Sequence, residues 1–325
     1  MNYLKTYLPY LFGNKEGKSY VFPQDLDWDN LNFEESLMMY SLNDDIDSFI
    51  NTLDITSLLP SQIFHLFSYK KQLDHYFFTN LTSFYPEEYE LFLKAKKGEV
   101  LKHDDVQEIL NYKNHELSMF AIFREGRHKP GKIFVKDSYN RFVHNLNGSV
   151  WSIPILGVSG RGLPFNHSNG TTPCGVFTVD SVMPEANQHA EFGKFRRLIV
   201  NFISQSEGEE KIKQMLPTSH YKKSWWQQCV VARELGRSLL RIHGTGTINK
   251  NPFTPHFPMI PSSGCLTTTE THLMGLVQIN HQRNLLDTLM KAQNLPVTYE
   301  NESKIHGVLY VIDFDGTYQT LEFKS

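Results

Sequence analysis

Apolar residues recur with a helical period through the first third of the chain. Within residues 33–53, Leu37, Tyr40, Ile46, Phe49 and Leu53 fall close to every 3.6 positions, with acidic residues between them. Residues 61–78, 86–97 and 103–123 have similar spacing, and the last of these has Asp104 placed as an N-cap. The pattern predicts a helical accessory domain over residues 1–125.

The pattern changes after Gly126 to short runs of β-branched and aromatic residues. These runs predict strands at 132–136, 141–143, 150–156, 175–179, 198–202, 239–243 and 307–314, separated by Gly, Asn and Pro. Residues 267–293 are predicted to be helical instead. Thr267 and Glu270 have the spacing of a capping box there, and apolar residues follow at helical intervals. The predicted fold class is therefore α+β, with a mainly antiparallel, sandwich-like second domain over residues 126–325.

Length and charge narrow the classes of function. The chain has 325 residues, of which 40% are hydrophobic, so it can bury a sizeable core. Its 32 basic and 35 acidic residues give a net charge of -3, which disfavours a nucleic-acid partner. The sequence has no run of 18 apolar residues, so no membrane span is predicted.

The first residues do not have the pattern of a signal peptide. Lys5 and Pro9 interrupt the apolar stretch, and no small-residue cleavage site follows it. Two explanations of an extracytoplasmic location stay open: a leader that has been trimmed, and export by another route.

The three cysteines are Cys174, Cys229 and Cys265. An odd, low count predicts no disulfide framework, and the lack of a C-x-x-C pair argues against structural zinc. We expect no metal and no other cofactor. Cys174 and Cys229 are predicted to be buried, unreactive side chains.

Cys265 lies in a different context. A predicted strand ends at His243, before Gly244 and Thr245, and Cys265 follows 22 positions after His243 in the run Ser262-Ser263-Gly264-Cys265-Leu266. A thiol at the start of the predicted helix would be stabilised as thiolate by the helix dipole, with His243 as its base. Gly264 would let the backbone approach a substrate, and N–H groups there could form an oxyanion hole. A buried structural cysteine remains the alternative on these residues alone.

Three segments resemble the L,D-transpeptidase (YkuD-type) family. Residues 242–245, Ile-His-Gly-Thr, and 262–266, Ser-Ser-Gly-Cys-Leu, are similar to its catalytic signature: a His-Gly pair, then Ser/Thr-x-Gly-Cys and an apolar residue. Residues 172–179 resemble the family's Thr-Pro-x-Gly-x-Phe strand, and 158–160 resemble the strand end before it. The likeness covers about residues 130–325 in the family's order; the helical N-terminal region has no counterpart in the family's core domain.

The resemblance implies chemistry on peptidoglycan stem peptides in the bacterial cell envelope, in the periplasm or secreted. Cys265 would attack the carbonyl of the third stem residue, releasing D-Ala and leaving a thioester, and His243 would take the thiol proton. Gly264 and Cys265 N–H groups would hold the oxyanion, and Ser263 would position the turn. Gly244 and Thr245 would contact substrate. An amine acceptor gives a 3-3 cross-link or D-amino-acid exchange, water gives L,D-carboxypeptidase activity, and attachment or release of a wall-linked protein is a further outcome.

The chain departs from the family pattern at Thr267, where members commonly carry Arg. Arg161 or Arg241 could supply that charge, and either could equally be a solvated surface residue. Prolines at 252, 255, 258 and 261 have the period of a polyproline II helix, which predicts a stiff extended flap or a packed surface loop, with His256 inside it.

Two further insertions lie between the segments that resemble the family. Trp225 and Trp226 could line a glycan or peptide groove, or anchor the core. Residues 161–167 lengthen the loop before Thr172, which suggests a specialised substrate.

Two alternatives to the transpeptidase prediction remain. A non-catalytic wall-binding module would keep the fold with Cys265 buried and unreactive. A papain-like peptidase is disfavoured, because its Cys precedes its His and the order here is reversed. The helical N-terminal domain could bind a partner protein, recognise glycan or cover the site.

Overall fold

The computed structural model describes residues 33–42, 45–273 and 276–323, and the prediction about a signal peptide lies outside them. The chain divides into two compact units, Met1–Glu90 and Leu91–Ser325. The helices are α1 (Phe33–Leu42), α2 (Ile46–Ile50), α3 (Pro60–Ser68), α4 (His75–Phe84), α5 (Pro86–Lys97), α6 (His103–Asn111), α7 (His189–Phe192), α8 (Gly208–Gln214), α9 (Gln227–Glu234) and α10 (His281–Ala292). The strands are β1 (Ser118–Arg124), β2 (Gly131–Lys136), β3 (Ser152–Ile155), β4 (Gly175–Val182), β5 (Leu198–Phe202), β6 (Leu240–His243), β7 (Leu266–Thr267), β8 (Glu270–Leu273), β9 (Leu276–Asn280) and β10 (His306–Phe314).

The first unit contains α1 to α4 and the start of α5. The single helix predicted over residues 61–78 is two helices in the structure. The Asp74 carboxylate accepts hydrogen bonds from the Tyr76 and Phe77 backbone N–H groups, and this N-cap starts α4 at His75. Phe67 of α3 packs against Phe78 and Tyr89, with ring centroids 6.3 and 5.0 Å apart. The helices are thus held by an aromatic core of their own.

The second unit is built on an eight-stranded sheet with the order β3-β2-β1-β10-β4-β5-β6-β7. The sheet is mostly antiparallel; only the pairs β1/β10 and β6/β7 are parallel. Helix α9 lies against β4 and β5, and α10 lies against β2 and β3. The coarse prediction of an α+β protein with a mainly antiparallel sheet is confirmed.

The two edges of the sheet are joined. Leu156, directly after β3, exchanges both backbone hydrogen bonds with Thr267 of β7, at 2.9 and 2.8 Å. This bridge closes the sheet on itself and brings the segment after β3 to the segment before β7. It thereby places residues near 157 and 172 beside the turn that contains Cys265.

Strand β1 occupies residues 118–124, where the sequence predicts the end of a helix. The spacing predicts one helix over residues 103–123, but α6 ends at Asn111 and residues 118–124 form a strand of the sheet. All residues of β1 except Arg124 are buried, so the segment lacks the alternation that identifies a half-exposed strand. The compact units divide after Glu90, and β1 lies in the second of them.

The predicted helix over residues 267–293 is also wrong in its first half. Residues 266–280 form strands β7, β8 and β9, and α10 begins only at His281. The predicted capping box is not formed. Thr267 pairs with Leu156 in the sheet, and the buried Glu270 carboxylate accepts the Lys194 backbone N–H at 2.8 and 3.1 Å. Cys265 therefore precedes a strand and not a helix.

Among the described residues, no helix is long and apolar enough to cross a membrane.

Candidate active site

Cys265 and His243 lie at the ends of two neighbouring parallel strands. Ile242 of β6 pairs with Leu266 of β7, and His243 pairs with Thr267. Extending this register back by one residue places Cys265 opposite Arg241. Because side chains alternate along a strand, Arg241, His243, Cys265 and Thr267 share one face of the sheet. The structure thus brings together the two residues that the sequence predicts as nucleophile and base.

The turn before Cys265 is held by one internal hydrogen bond and by hydrogen bonds to two other segments of the chain. The Ser262 hydroxyl donates to the Cys265 carbonyl at 2.7 Å, and the Gly160 N–H donates to the Ser262 carbonyl at 2.7 Å. The Thr172 hydroxyl donates to the Gly264 carbonyl at 2.9 Å. All three family-like segments therefore meet at this turn, with Thr172 bonded directly to it.

Position 264 has room for glycine but not for a residue with a Cβ atom. Its φ is +101°, and a Cβ at this position would lie 2.5 Å from the Gly170 carbonyl oxygen and 2.6 Å from Arg237 Nη2. In the described part of the chain, neither the Gly264 N–H nor the Cys265 N–H donates a hydrogen bond. Two adjacent free N–H groups beside the thiol are what an oxyanion hole needs. Ser263 is exposed and its hydroxyl makes no hydrogen bond among the described residues.

His243 is buried as a neutral imidazole. Its side chain is 2% exposed, and Nδ1 lies 2.6 Å from the Gly244 carbonyl oxygen, which can only accept. The ring proton therefore sits on Nδ1, and Nε2, which has no hydrogen-bond partner among the described residues, can accept a proton. Burial lowers the pKa of His243 to about 4, and the Arg197 charge also lowers it. Phe192 packs edge-on against the ring at 4.9 Å.

The Cys265 thiol is half-buried, and burial raises its pKa. The Arg241 backbone N–H and the charges of Arg241, Arg237 and Arg197 act in the opposite direction. Sγ lies 3.9 Å from the Leu239 carbonyl oxygen, and no hydrogen bond joins it to His243 within the described residues. The resting pair is thus a thiol and a neutral imidazole. The predicted stabilisation of a thiolate by a helix dipole is wrong, since no helix begins there.

Sequence reasoning missed Arg237, which anchors the loop beside the turn. Its guanidinium donates to the carbonyls of Phe165, Gly170 and Thr171, the last two at 2.9 Å. The long loop over residues 161–167 is therefore tied down against the site. Nothing in the local pattern around Arg237, which follows α9 and Gly236, distinguishes it from a surface arginine.

The buried Arg127 was also missed, and it supports the strand start at Thr172. Its guanidinium donates to the Gly157 and Thr172 carbonyls at 2.9 and 2.7 Å, to Cys174 Sγ at 3.0 Å and to Asp313 at 2.6 Å. Since these contacts span distant parts of the chain, spacing could not reveal them.

Trp225 and Trp226 do not line a groove. Each is 1% exposed and belongs to the hydrophobic core, and their indole N–H groups bind His220. Arg161 is exposed, on the segment next to the turn, and its side chain makes no hydrogen bond in the described ranges. The structure therefore assigns the two tryptophans to the core.

Gly244 and Thr245 are buried directly after His243. A Cβ on Gly244 would overlap the Glu270 carboxylate, so the residue allows close packing beneath the imidazole. Thr245 is buried too, and its hydroxyl has no hydrogen-bond partner. Both residues lie beside the site.

The proline-rich segment before Cys265 is not an extended polyproline helix. Residues 251–259 form consecutive turns, with the Thr254, Phe257 and Met259 N–H groups each bonded to the carbonyl three residues earlier. The Asn249 N–H donates to the Pro258 carbonyl at 2.9 Å, which folds the segment back on itself. The packed-loop alternative is the correct one.

No protein-family model matches this chain, and no curated protein or solved structure matches it either. Within the described ranges, no group of three His, Cys, Asp or Glu side chains is placed to hold a metal ion.

Proposed function

We propose that this protein is a cysteine-dependent L,D-transpeptidase that acts on peptidoglycan stem peptides through a thioester acyl-enzyme. The observation that carries the proposal is the shared face of Cys265 and His243 at two parallel strand ends, with two unpartnered N–H groups at the turn. The family resemblance supplies the substrate class. The resemblance also supports a sandwich-like catalytic domain over residues 126–325, and the periodicity of the first third of the chain supports a helical accessory domain before it.

The proposed mechanism starts from a neutral Cys265 thiol and a neutral His243 imidazole. As Cys265 Sγ attacks the carbonyl carbon, His243 Nε2 accepts the thiol proton, and the oxyanion is held by the N–H groups of Gly264 and Cys265. The C–N bond then breaks, and D-Ala leaves as an amine that takes the proton from Nε2. In the second half, the acceptor amine attacks the thioester carbonyl carbon and forms the new C–N bond while Nε2 accepts its proton. The C–S bond then breaks, and the leaving thiolate takes the proton from Nε2.

The buried imidazole suits this sequence of steps. A base of pKa about 4 remains unprotonated at neutral pH, so Nε2 is available whenever substrate binds. A thiol that is not preionised also stays protected from unwanted oxidation. Both properties favour proton transfer during the attack over a preformed ion pair.

The acceptor defines the main alternative. With water as acceptor, the same acyl-enzyme gives L,D-carboxypeptidase activity. Thr267 occupies the place of the family's usual Arg and donates to the Ile260 carbonyl at 3.1 Å, so the substrate is held differently from that in other members. This departure keeps hydrolysis as the second candidate function.

Disaccharide tetrapeptide, with product masses as the readout, distinguishes these outcomes. A tripeptide-linked dimer indicates cross-linking, exchange of the terminal residue for an added D-amino acid indicates exchange, and tripeptide alone indicates trimming. We expect a tripeptide-containing product in one of these forms. Absence of all three with Cys265 intact would overturn the proposal.

A non-catalytic wall-binding module is tested separately by acylation. The resemblance predicts that a carbapenem adds covalently to Cys265 and that Cys265→Ala abolishes the addition. Cys229→Ala is the matched control, because burial raises the pKa of that thiol to about 12. Lack of any adduct on Cys265 would favour the binding module.

We assign the protein to the cell envelope, periplasmic or secreted, on the same resemblance, with peptidoglycan as its partner. The N-terminal helices could bind a protein partner, recognise glycan or cover the site. Removing residues 1–125 would cut off β1, so a shortened chain that begins at Leu91 tests inhibition. Unchanged activity after that truncation counts against an inhibitory role.

A further inference from the structure

Two arginines lie on the same face of the sheet as the candidate nucleophile and base. Strands β5 and β6 pair with Leu198 opposite Ile242 and Ile199 opposite Arg241. Extending this register by one residue places Arg197 opposite His243. Since opposite residues project to the same side, Arg197, Arg241, His243 and Cys265 form one cluster on that face.

Arg197 is held rigidly but is not neutralised. It is 8% exposed, its Nη2 donates to Asn187 at 2.8 Å, and its guanidinium stacks on the Phe192 ring at 4.3 Å. Its Nε is buried and has no hydrogen-bond partner in the part of the chain that the structure describes. A buried guanidinium with an unused donor loses hydration and gains no replacement from the protein.

Arg241 is half-buried and likewise lacks an acidic partner. Its Nη1 donates to the Leu240 carbonyl at 2.6 Å and its Nε contacts Met183 Sδ at 3.4 Å. Nη2 makes no hydrogen bond within the described residues. Neither Arg197 nor Arg241 forms an ion pair there, while Arg127, Arg196 and Arg283 all do.

The two guanidiniums also act on each other. Burial lowers the pKa of Arg241, and the charge of Arg197 lowers it further. Neither charge has an acidic counter-ion within the described residues, and two like charges placed close together without one destabilise each other. The Glu270 carboxylate, which lies against Gly244, is engaged by the Lys194 N–H. An anionic ligand would neutralise both arginines and satisfy the free Nε and Nη2 donors.

We propose that Arg197 and Arg241 form a carboxylate-binding site that holds a free carboxylate of the peptide substrate next to Cys265 Sγ. The inference deepens the proposed function, on which its choice of ligand rests. Arg241 lies on β6 and Arg197 directly precedes β5. Binding of the carboxylate therefore does not need a charged residue at position 267. They bind and orient substrate, and the proton transfers remain with His243.

A pair of alkylating agents tests the anion site without any peptide. Iodoacetate and iodoacetamide both form the Sγ–carbon bond, break the carbon–iodine bond, release iodide and lose the thiol proton to solvent. Only iodoacetate carries a carboxylate. The ratio of their rate constants at Cys265, followed by peptide mass spectrometry, therefore reports the anion site, while any change in thiol pKa affects both reagents alike.

We expect the iodoacetate/iodoacetamide ratio to fall about 5- to 10-fold in the Arg197→Gln/Arg241→Gln double variant, as for loss of a charge-assisted hydrogen bond. Arg241→Lys keeps the charge and should retain most of the ratio. Arg141→Gln is the matched control, because Arg141 is exposed and pairs with Asp137. A ratio that changes less than 2-fold in the double variant would overturn the carboxylate site, provided its circular dichroism matches the wild type.

Substrate analogues then identify which carboxylate is bound. If the terminal D-Ala carboxylate is held, the double variant raises KM for the normal tetrapeptide but not for its D-Ala amide. If the diamino-acid carboxylate is held, amidation there removes the effect instead. An unchanged KM for every analogue contradicts the site. A normal alkylation ratio without peptide turnover leaves the anion site standing and sinks the transpeptidase proposal alone.

Discussion

Two cysteines of this protein each lie beside arginine, but their surroundings give them different roles. Cys174 is buried, and Arg127 donates to its Sγ while pairing with Asp313. Cys265 is half-buried and faces Arg241 and Arg197, neither of which has a carboxylate partner within the described residues. In the first case the positive charge is neutralised by the protein. In the second it is available to a ligand.

The neighbours of the two thiols distinguish a supporting role from the proposed nucleophilic one. Burial raises the pKa of both thiols, so the pKa direction alone does not distinguish them. The neighbours do distinguish them. Cys174 accepts a hydrogen bond from Arg127, whereas Cys265 lies near an imidazole nitrogen and two backbone N–H groups that have no partner within the described ranges. Unused hydrogen-bonding capacity around a thiol is the stronger signal.

Replacing each cysteine gives the largest contrast. Cys265→Ala should lower turnover of disaccharide tetrapeptide by at least about 10⁴-fold, as for loss of a nucleophile. Cys174→Ala should keep turnover within about 3-fold, because its thiol contacts only supporting groups. Product formation measured by mass checks both variants. A folded Cys174→Ala protein that is as inactive as Cys265→Ala would break the comparison.

For stability, we expect Arg127, beside Cys174, to matter more than Arg241, beside Cys265. Arg127→Gln should lower the free energy of unfolding by about 3–5 kcal/mol, because Asp313 and two buried carbonyls lose their partner. Arg241→Gln should change it by less than about 1 kcal/mol, since no ion pair is lost. Urea denaturation measures both. Equal losses in the two variants would show that Arg241 is structural as well.

The buried His243 should make stability depend on pH. Its folded pKa of about 4 lies below the ordinary value of 6.5, so the unfolded chain binds this proton first as pH falls. Stability from this residue is full above pH 6.5 and falls by about 3 kcal/mol by pH 4.

Other histidines with lowered pKa, including His220 and His281, contribute equally to wild type and to His243→Gln. The difference between the two proteins, from urea denaturation at pH 4 to 7, isolates His243. A difference that stays constant over this range would mean that the imidazole is not buried as a neutral group.

Gly264 and Gly175, each next to one of the two cysteines, test the same comparison through the backbone. Gly264→Ala should cost about 1–3 kcal/mol and displace the turn, since φ is +101° and the Cβ would meet the Gly170 carbonyl. Gly175→Ala should cost a similar amount, because its Cβ would overlap the Cys229 thiol in the core. Turnover per folded molecule should fall only in the Gly264 variant. Equal turnover losses would contradict the separate roles.

Much of the sheet could be predicted from the sequence because its strands are short and bounded by turn residues. The runs at 132–136, 175–179, 198–202 and 307–314 all coincide with strands. The failures share a cause: β1 is buried over six of its seven positions, and the spacing of Thr267 and Glu270 imitates a helix cap. Both were decided by tertiary pairing, which local periodicity does not contain.

The candidate site was predictable only in part, for a similar reason. Cys265, His243, Gly264 and Thr172 stand in short segments whose residue types point to chemistry. Arg197, Arg237 and Arg127 stand in ordinary surroundings and reach the site through the closed sheet. Their contribution comes from burial and from the presence or lack of an acidic partner, which only the folded arrangement defines.

The position of β10 has a consequence for how the protein is made. Strand β10, the last in the described chain, lies between β1 and β4 near the middle of the sheet. Until residues 306–314 have been synthesised, β1 and β4 each lack one hydrogen-bonded neighbour, and the two halves of the sheet can meet only at the Leu156–Thr267 bridge. Two strand edges therefore stay unpaired until β10 has been made, which exposes the nascent chain to edge-to-edge association.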